Sequence, residues 1–359
     1  MTNESKISFF NKYLTIWVLI CMAIGIFISQ YIPIIPNFLK QFEYAQISIP
    51  IAILIWIMIY PMMLKIDFKS IKNVKNNIKG IILTWCVNWL IQPFTMYLIC
   101  TVFFFIIYQG ILSTNMATNY LIGAVLLGSA PCTAMVFVWS ELMKGDSAYT
   151  LVQVATNDII ILFAYVPIVT CLLGISNISI PYDTLILSII LFVVIPFIAS
   201  IISRKFIINH KSKEYLENKF IPKFDNITTI GLLLTLIFIF SSQGNLILNN
   251  PLDIILIAIP YIIQIFLIFG IGYLGSKAIK LPQNIAAPAS LVGASNFFEL
   301  AVAIAIALYG VSSPVALATT VGVLIEVPVM LTLVRIVNNT KDWYNSGLND
   351  KKISDKYYN

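Results

Sequence analysis

The chain has 359 residues, 59% hydrophobic and 11% charged, with a mean hydropathy of +0.90. A soluble domain carries about 25% charged residues, so this chain cannot present an ordinary water-facing surface. Its net charge of +6 gives no reason to invoke nucleic acid, because the basic residues follow a membrane pattern; one histidine and five cysteines without a CxxC pair exclude a zinc centre, a disulfide framework and Ser/His machinery inside the membrane.

The first apolar run, residues 14–31, has no small-residue cleavage site after it and is followed by "YIPIIP", so it reads as a retained span. Further runs of the length that crosses a bilayer core of about 30 Å follow along the chain. They predict spans at 47–64, 78–107, 119–143, 147–173, 184–203, 227–248, 252–275, 284–309 and 313–337. Of the 22 Lys and Arg, only Lys40 falls on the opposite side from the rest, which cluster around Lys72, around Lys213 and in both tails. The positive-inside rule then places both termini in the cytoplasm of a multi-pass protein.

Ten spans predict two five-helix halves of inverted orientation, residues 14–174 and 175–337, flanked by tails 1–13 and 338–359. A shift of 165 residues lays "AVLLGSAPCTA" (Ala124–Ala134) on "ASLVGASNFFE" (Ala289–Glu299), so that Gly128 meets Gly293. Both stretches belong to the fourth helix of their half, and both carry a polar interruption. The expected fold is an all-α polytopic membrane protein with ten transmembrane helices in two inverted repeats, interrupted helices four and nine crossing near the midplane.

In "GSAPCTAMVFVWS", Pro131 cannot donate to the carbonyl four residues back and displaces it. Ser129 and Thr133 can re-satisfy the freed backbone. In "GASNFFE", Gly293, Ser295 and Asn296 resist unwinding poorly. Opened backbone in a membrane is tolerated where it is buried in protein or lines a cavity. The candidate binding groups are therefore the thiol of Cys132, Ser129 and Thr133 at one break, and Ser295 and Asn296 at the other. Pro131 as a plain kink and Cys132 as a small hydrophobe are the competing readings. An acid inside a span is a functional hypothesis by default, which selects Glu299, Glu326 and Asp158 as candidate proton-coupling groups. Asn157 and Asp158 lie 25 and 26 residues after Cys132, and Glu326 lies 27 after Glu299, so the fifth and tenth helices are expected to bring polar groups beside the breaks. Trp139 and the aromatics of "NFF" read as packing.

No basic residue lies in the spans' interiors, which disfavours an anion such as phosphate or sulfate. A soft, thiophilic, uncharged hydroxide suits one thiol, which holds it reversibly where three would trap it.

The two motifs closely resemble the paired signatures of the arsenite efflux permeases of the arsenical-resistance (Acr-three) family, in the bile-acid/arsenite/riboflavin transporter superfamily. The resemblance covers about residues 14–337. It implies a plasma-membrane secondary transporter, not an enzyme, exporting trivalent arsenic as arsenite or arsenous acid, with antimonite as a further substrate, driven by protons or membrane potential. It implies that the family's essential cysteine, an As(III) ligand, is Cys132 and its essential acid Glu299; Asn157, Asn296, Trp139 and Glu326 match positions of further site residues. Some relatives carry a basic residue where this chain has Pro131, which leaves the charge of the transported species open. No cofactor is expected. The expected partners are arsenite, protons and membrane lipid, with an upstream arsenate reductase as pathway partner only. The alternatives are a sodium-coupled organic-anion symporter of the same superfamily, which would need a larger pocket and no Cys132, and a membrane sensor, which lacks an output domain.

Overall fold

The computed structural model describes residues 14–44, 47–64, 78–133, 135–176, 178 and 181–346. The tail 1–13, the basic loop 65–77 around Lys72 and the end of the second tail, 347–359, lie outside the described residues.

The described chain is helical apart from a two-residue strand pair, Glu43–Tyr44 with Ile47–Ser48. In chain order the helices are α1 (Leu14–Tyr31), α2 (Ile34–Lys40), α3 (Ile49–Leu64), α4 (Ile78–Ile107), α5 (Thr114–Gly128), α6 (Val136–Leu142) and α7 (Ser147–Ile175). They continue as α8 (Tyr182–His210), α9 (Asp225–Asn249), α10 (Pro251–Ala278), α11 (Gln283–Ala294), α12 (Phe298–Tyr309), α13 (Pro314–Asn339) and α14 (Lys341–Ser346). Among the described residues six are long and apolar enough to cross a membrane: α4, α7, α8, residues 230–249 of α9, α10 and α13. The chain is a multi-pass membrane protein.

Side chains set the helix starts. Ser113, Asp146 and Ser313 each accept a hydrogen bond from a backbone N–H in the first turn of α5, α7 and α13, satisfying one of the amides left without an intrahelical partner. Helix α8 runs past the expected end at residue 203 to His210, because "SRKFIINH" holds no glycine or proline to stop it. His210 is thereby a helix-end residue rather than part of a loop.

The described residues form two compact units. The first draws on residues 1–65 and 190–250, and in it α1 and α9 are joined by polar contacts. Gln30 Nε2 donates to Asn245 Oδ1 at 2.7 Å, and Asn245 N to Ser29 Oγ at 3.1 Å. The second unit draws on the described residues within 78–189 and 251–346 and contains both interruptions. Each unit therefore takes chain from both halves of the sequence.

Within the second unit α5 packs on α13 at very short range. A methyl group at Gly123 would lie 2.6 Å from Ala318 Cβ and 2.7 Å from the Val315 carbonyl, so only glycine allows this approach. Small residues let membrane helices touch backbone to backbone, where packing rather than the hydrophobic effect holds them together.

Candidate functional site: the paired helix breaks

The first interruption separates α5 from α6 and the second separates α11 from α12, and the two are paired with each other. Cys132 N donates to Ser295 O at 2.9 Å, and Phe297 N donates to Ala130 O at 2.9 Å. Pro131 and Asn296 face each other across this antiparallel bridge. Each break frees backbone groups from the hydrogen bonding of its helix. Four of them satisfy one another, because an unpaired amide or carbonyl in a membrane interior costs several kcal/mol, roughly.

Cys132 is fully buried. Beside its thiol lie the Ser295 hydroxyl and the Met135 amide, and its electrostatic neighbours are Glu326 and Glu299. Ser295, in extended conformation at the end of α11, donates its hydroxyl to Glu326 Oε1. Glu326 thus reaches the second break from α13, although it is distant from it in sequence. Its Oε2 has no partner among the described residues, and neither do the two carboxyl oxygens of Glu299, which sits in the first turn of α12. Both acids are at least 98% buried, with relative exposures of 1% for Glu299 and 2% for Glu326.

The other expected residues fall as follows. Asn296 is buried, and its Oδ1 accepts from Gln92 Nε2 at 2.7 Å. Ser129 spends its hydroxyl on the Val125 carbonyl at 2.6 Å, closing the end of α5. Thr133 is buried at the first break. Trp139 is fully buried on α6, and its Nε1 has no partner among the described residues. Asn157 turns toward α4, where its Oδ1 accepts from Trp89 Nε1 at 3.2 Å and Asn88 Nδ2 at 3.4 Å. Asp158 is buried on α7 and makes no hydrogen bond or ion pair among the described residues. The structure therefore gathers Cys132, Ser295, Asn296, Glu299 and Glu326 at the pairing. Asn157 belongs to a neighbouring amide cluster.

That cluster is what sequence reading missed. Asn88, Trp89 and Gln92 lie on α4, where Cys86–Ile91 winds as a π turn. Pro93 has no N–H to give, and Gln92 N bonds to Val87 O, five residues back, which widens the turn and re-aims these side chains. Gly293 admits α4 to the second break, since a methyl there would lie 2.9 Å from Asn88 Oδ1. The signal was present in "NWLIQP": two amides inside an apolar span, directly before a proline.

Residues 52–250 match the Sodium Bile acid symporter family. The chain is 60% identical to the Arsenical-resistance protein Acr3 of Alkaliphilus metalliredigens (strain QYMF) over 345 residues, 96% of this chain and 97% of that one. The chain belongs to the Acr3 family. A second Acr3 arsenical-resistance protein, from Corynebacterium glutamicum, is 32% identical over 92% of this chain and 89% of its own length. The Uncharacterized transporter slr0944 of Synechocystis sp. is 43% identical over 94% of this chain and 91% of its own length. As an Acr3-family member within the symporter family, the chain is a transporter and not an enzyme.

Proposed function

We propose that this Acr3-family chain exports trivalent arsenic from the cytoplasm across the plasma membrane as a proton antiporter, crossing the bilayer ten times in two inverted repeats with both termini cytoplasmic. The arsenical-resistance names of two relatives agree with the substrate. The topology rests on the one-sided distribution of Lys and Arg.

The observation that carries the reading is the thiol of Cys132, buried at the paired breaks beside the Ser295 hydroxyl, with Glu326 and Glu299 as its electrostatic neighbours. Arsenous acid, As(OH)3, can exchange one hydroxide for this sulfur. The As–S bond forms, one As–O bond breaks, and the thiol proton leaves with the hydroxide as water, without change of oxidation state. Water reverses the step and releases the substrate. Three thiols would hold the arsenic much longer, and among the described residues no group of three His, Cys, Asp or Glu side chains is placed to hold a metal ion. Antimonite offers the same soft hydroxide chemistry and is proposed as a second substrate.

Glu299 is proposed to couple transport to protons. Two influences act on its carboxyl: burial penalises the charged form, and the N-terminal amides of α12 favour it. A carboxyl with no fixed partner can exchange a proton as access alternates between the two sides. Alternating access then carries the proton inward as arsenic moves outward. Glu326 is the rival, held by Ser295 at the same site.

A second reading, sodium coupling, is favoured by the unpartnered oxygens of Glu299, Glu326 and Gln92, which are hard acceptors suited to an alkali cation. Everted vesicles separate the two. Arsenite uptake is expected to need an acid-inside pH gradient, to be indifferent to replacement of sodium by potassium, and to vanish in Cys132→Ser. Normal uptake by Cys132→Ser would remove the thiol from the mechanism.

A further inference from the structure

The first unit carries a polar pocket and an apolar groove that the transport reading does not use. After α8 the chain makes three short turns, Lys213–Tyr215, Leu216–Phe220 and Ile221–Phe224, before entering α9. These turns are fixed in place. Arg204 donates to the Leu64 carbonyl at the end of α3 at 2.7 Å and lies 3.9 Å from Glu217, which is also 3.5 Å from Lys213. Leu64, Leu216 and Ile221 form a small apolar core beneath them, with Tyr60 and Phe220 packed against it.

The turns carry a pocket of about 380 Å3, lined by Lys211, Ser212, Glu214, Tyr215, Asn218 and Lys219. Lys211 Nζ stands 5.2 Å from the centre of the Tyr215 ring. With Glu217 engaged by Arg204 and Lys213, the pocket itself sets two ammonium groups against one carboxylate. The last residue of the turns, Phe224, also lines a groove of about 370 Å3 whose walls include Ile53, Trp56, Tyr60, Pro196 and Ile227. Its lining is almost wholly apolar, and the one indole N–H, of Trp56, already donates to the Leu191 carbonyl at 2.9 Å. The rings of Phe220, Phe224 and Tyr60 connect the turns and the groove, at 5.2 Å and 6.0 Å between successive centroids. Lys219 and Phe224 are five residues apart on helical turns, a rise of about 8–10 Å, so the pocket and the groove lie within reach of one lipid molecule.

We propose that this unit binds an anionic phospholipid, with the phosphodiester headgroup between Lys211 and Lys219 and an acyl chain in the groove beside Trp56 and Phe224. Basic residues at the end of a span attract anionic headgroups, and Trp and Tyr are at home in the interfacial layer where head and chain meet. An apolar groove on a membrane-embedded unit takes hydrocarbon, and the lysines make the choice of headgroup.

The test uses the full chain purified in an uncharged detergent, with dioleoyl phosphatidylglycerol or dioleoyl phosphatidylcholine added and bound lipid counted by native mass spectrometry. A one-to-one phosphatidylglycerol adduct is expected, at least tenfold tighter than phosphatidylcholine. Lys211→Gln with Lys219→Gln should erase that preference while leaving the unfolding midpoint without lipid unchanged, since both side chains are exposed. Ala199→Phe, which fills the groove, should weaken both lipids. Four results would overturn the proposal. They are equal affinity for the two lipids, an undiminished preference in the double variant, inorganic phosphate competing as well as the lipid, or a dimer in lipid-free detergent that Ala199→Phe dissociates.

Discussion

At the scale of the residue, the site gathers four uncharged or acidic side chains, Ser295, Asn296, Glu299 and Glu326, with the one sulfur of Cys132, and no basic group is among them. Glu299→Gln keeps shape and hydrogen-bonding capacity but cannot titrate. It is therefore expected to bind arsenite yet lose gradient-driven export, read as loss of arsenite-linked proton movement in reconstituted vesicles. Full proton flux in that variant would transfer the coupling role to Glu326 or Asp158. Cys21, Cys86, Cys100 and Cys171 belong to neither break in the chain, so their replacement by Ser should leave export within about twofold of normal. Gln92 is a separate case. Its bond to Asn296 fixes the residue that faces Pro131, and both amides are buried. Gln92→Leu strands the Asn296 oxygen, at a cost of about 1–3 kcal/mol. We expect a lower unfolding midpoint together with reduced export, and unchanged values for both would show that the bond holds nothing in place.

At the scale of the element, the position of Glu326 depends on how closely α13 approaches α5. Gly123 sets that approach, and Glu326 lies about three turns beyond the contact on the same helix. Gly123→Ala must push α13 away from α5, at an overpacking cost of about 1–3 kcal/mol. The displacement should loosen the bond between Ser295 and Glu326 and slow export. Adding Ala318→Gly removes the opposing methyl and should restore part of the loss in both stability and transport. A double variant no better than Gly123→Ala alone would mean that the helix contact does not govern the site. The π turn of α4 works at the same scale. Pro93 forces the winding that brings Asn88, Trp89 and Gln92 toward α7 and the second break.

At the scale of the whole molecule, the predictions concern topology. A reporter fused after Asn359, or inserted near Lys213, is expected on the cytoplasmic side, and one placed near Lys40 on the opposite side. A C-terminal reporter found outside the cytoplasm would break the count of ten spans and the inverted repeat with it. The division into two compact units, each containing chain from both halves, is compatible with such a repeat, because equivalent helices of the two halves can then share a unit.

The sequence by itself determined that this is a multi-pass helical membrane protein. Chain-long hydrophobicity and the positions of Pro, Gly and charge are local properties, and a bilayer constrains them strongly. It also marked both breaks, since Pro131 and the "GASN" stretch are local faults in otherwise apolar helices, and it marked the buried acids, because charge inside a span is costly wherever it occurs. The extension of α8 to His210 was less legible: hydrophobicity locates a span, but only hydrogen bonding and the next breaker locate the end of the helix. Tertiary structure alone decided that the two breaks pair through their backbones, that Ser295 holds Glu326, and that Gln92 on α4 holds Asn296. Those links join residues 31 to 204 positions apart, and no periodicity in a single sequence encodes which of many buried polar groups will meet. The physical reason is satisfaction: in a membrane interior each opened amide and carboxyl must find a partner or stand ready for a ligand, and which partner it finds depends on how the helices pack.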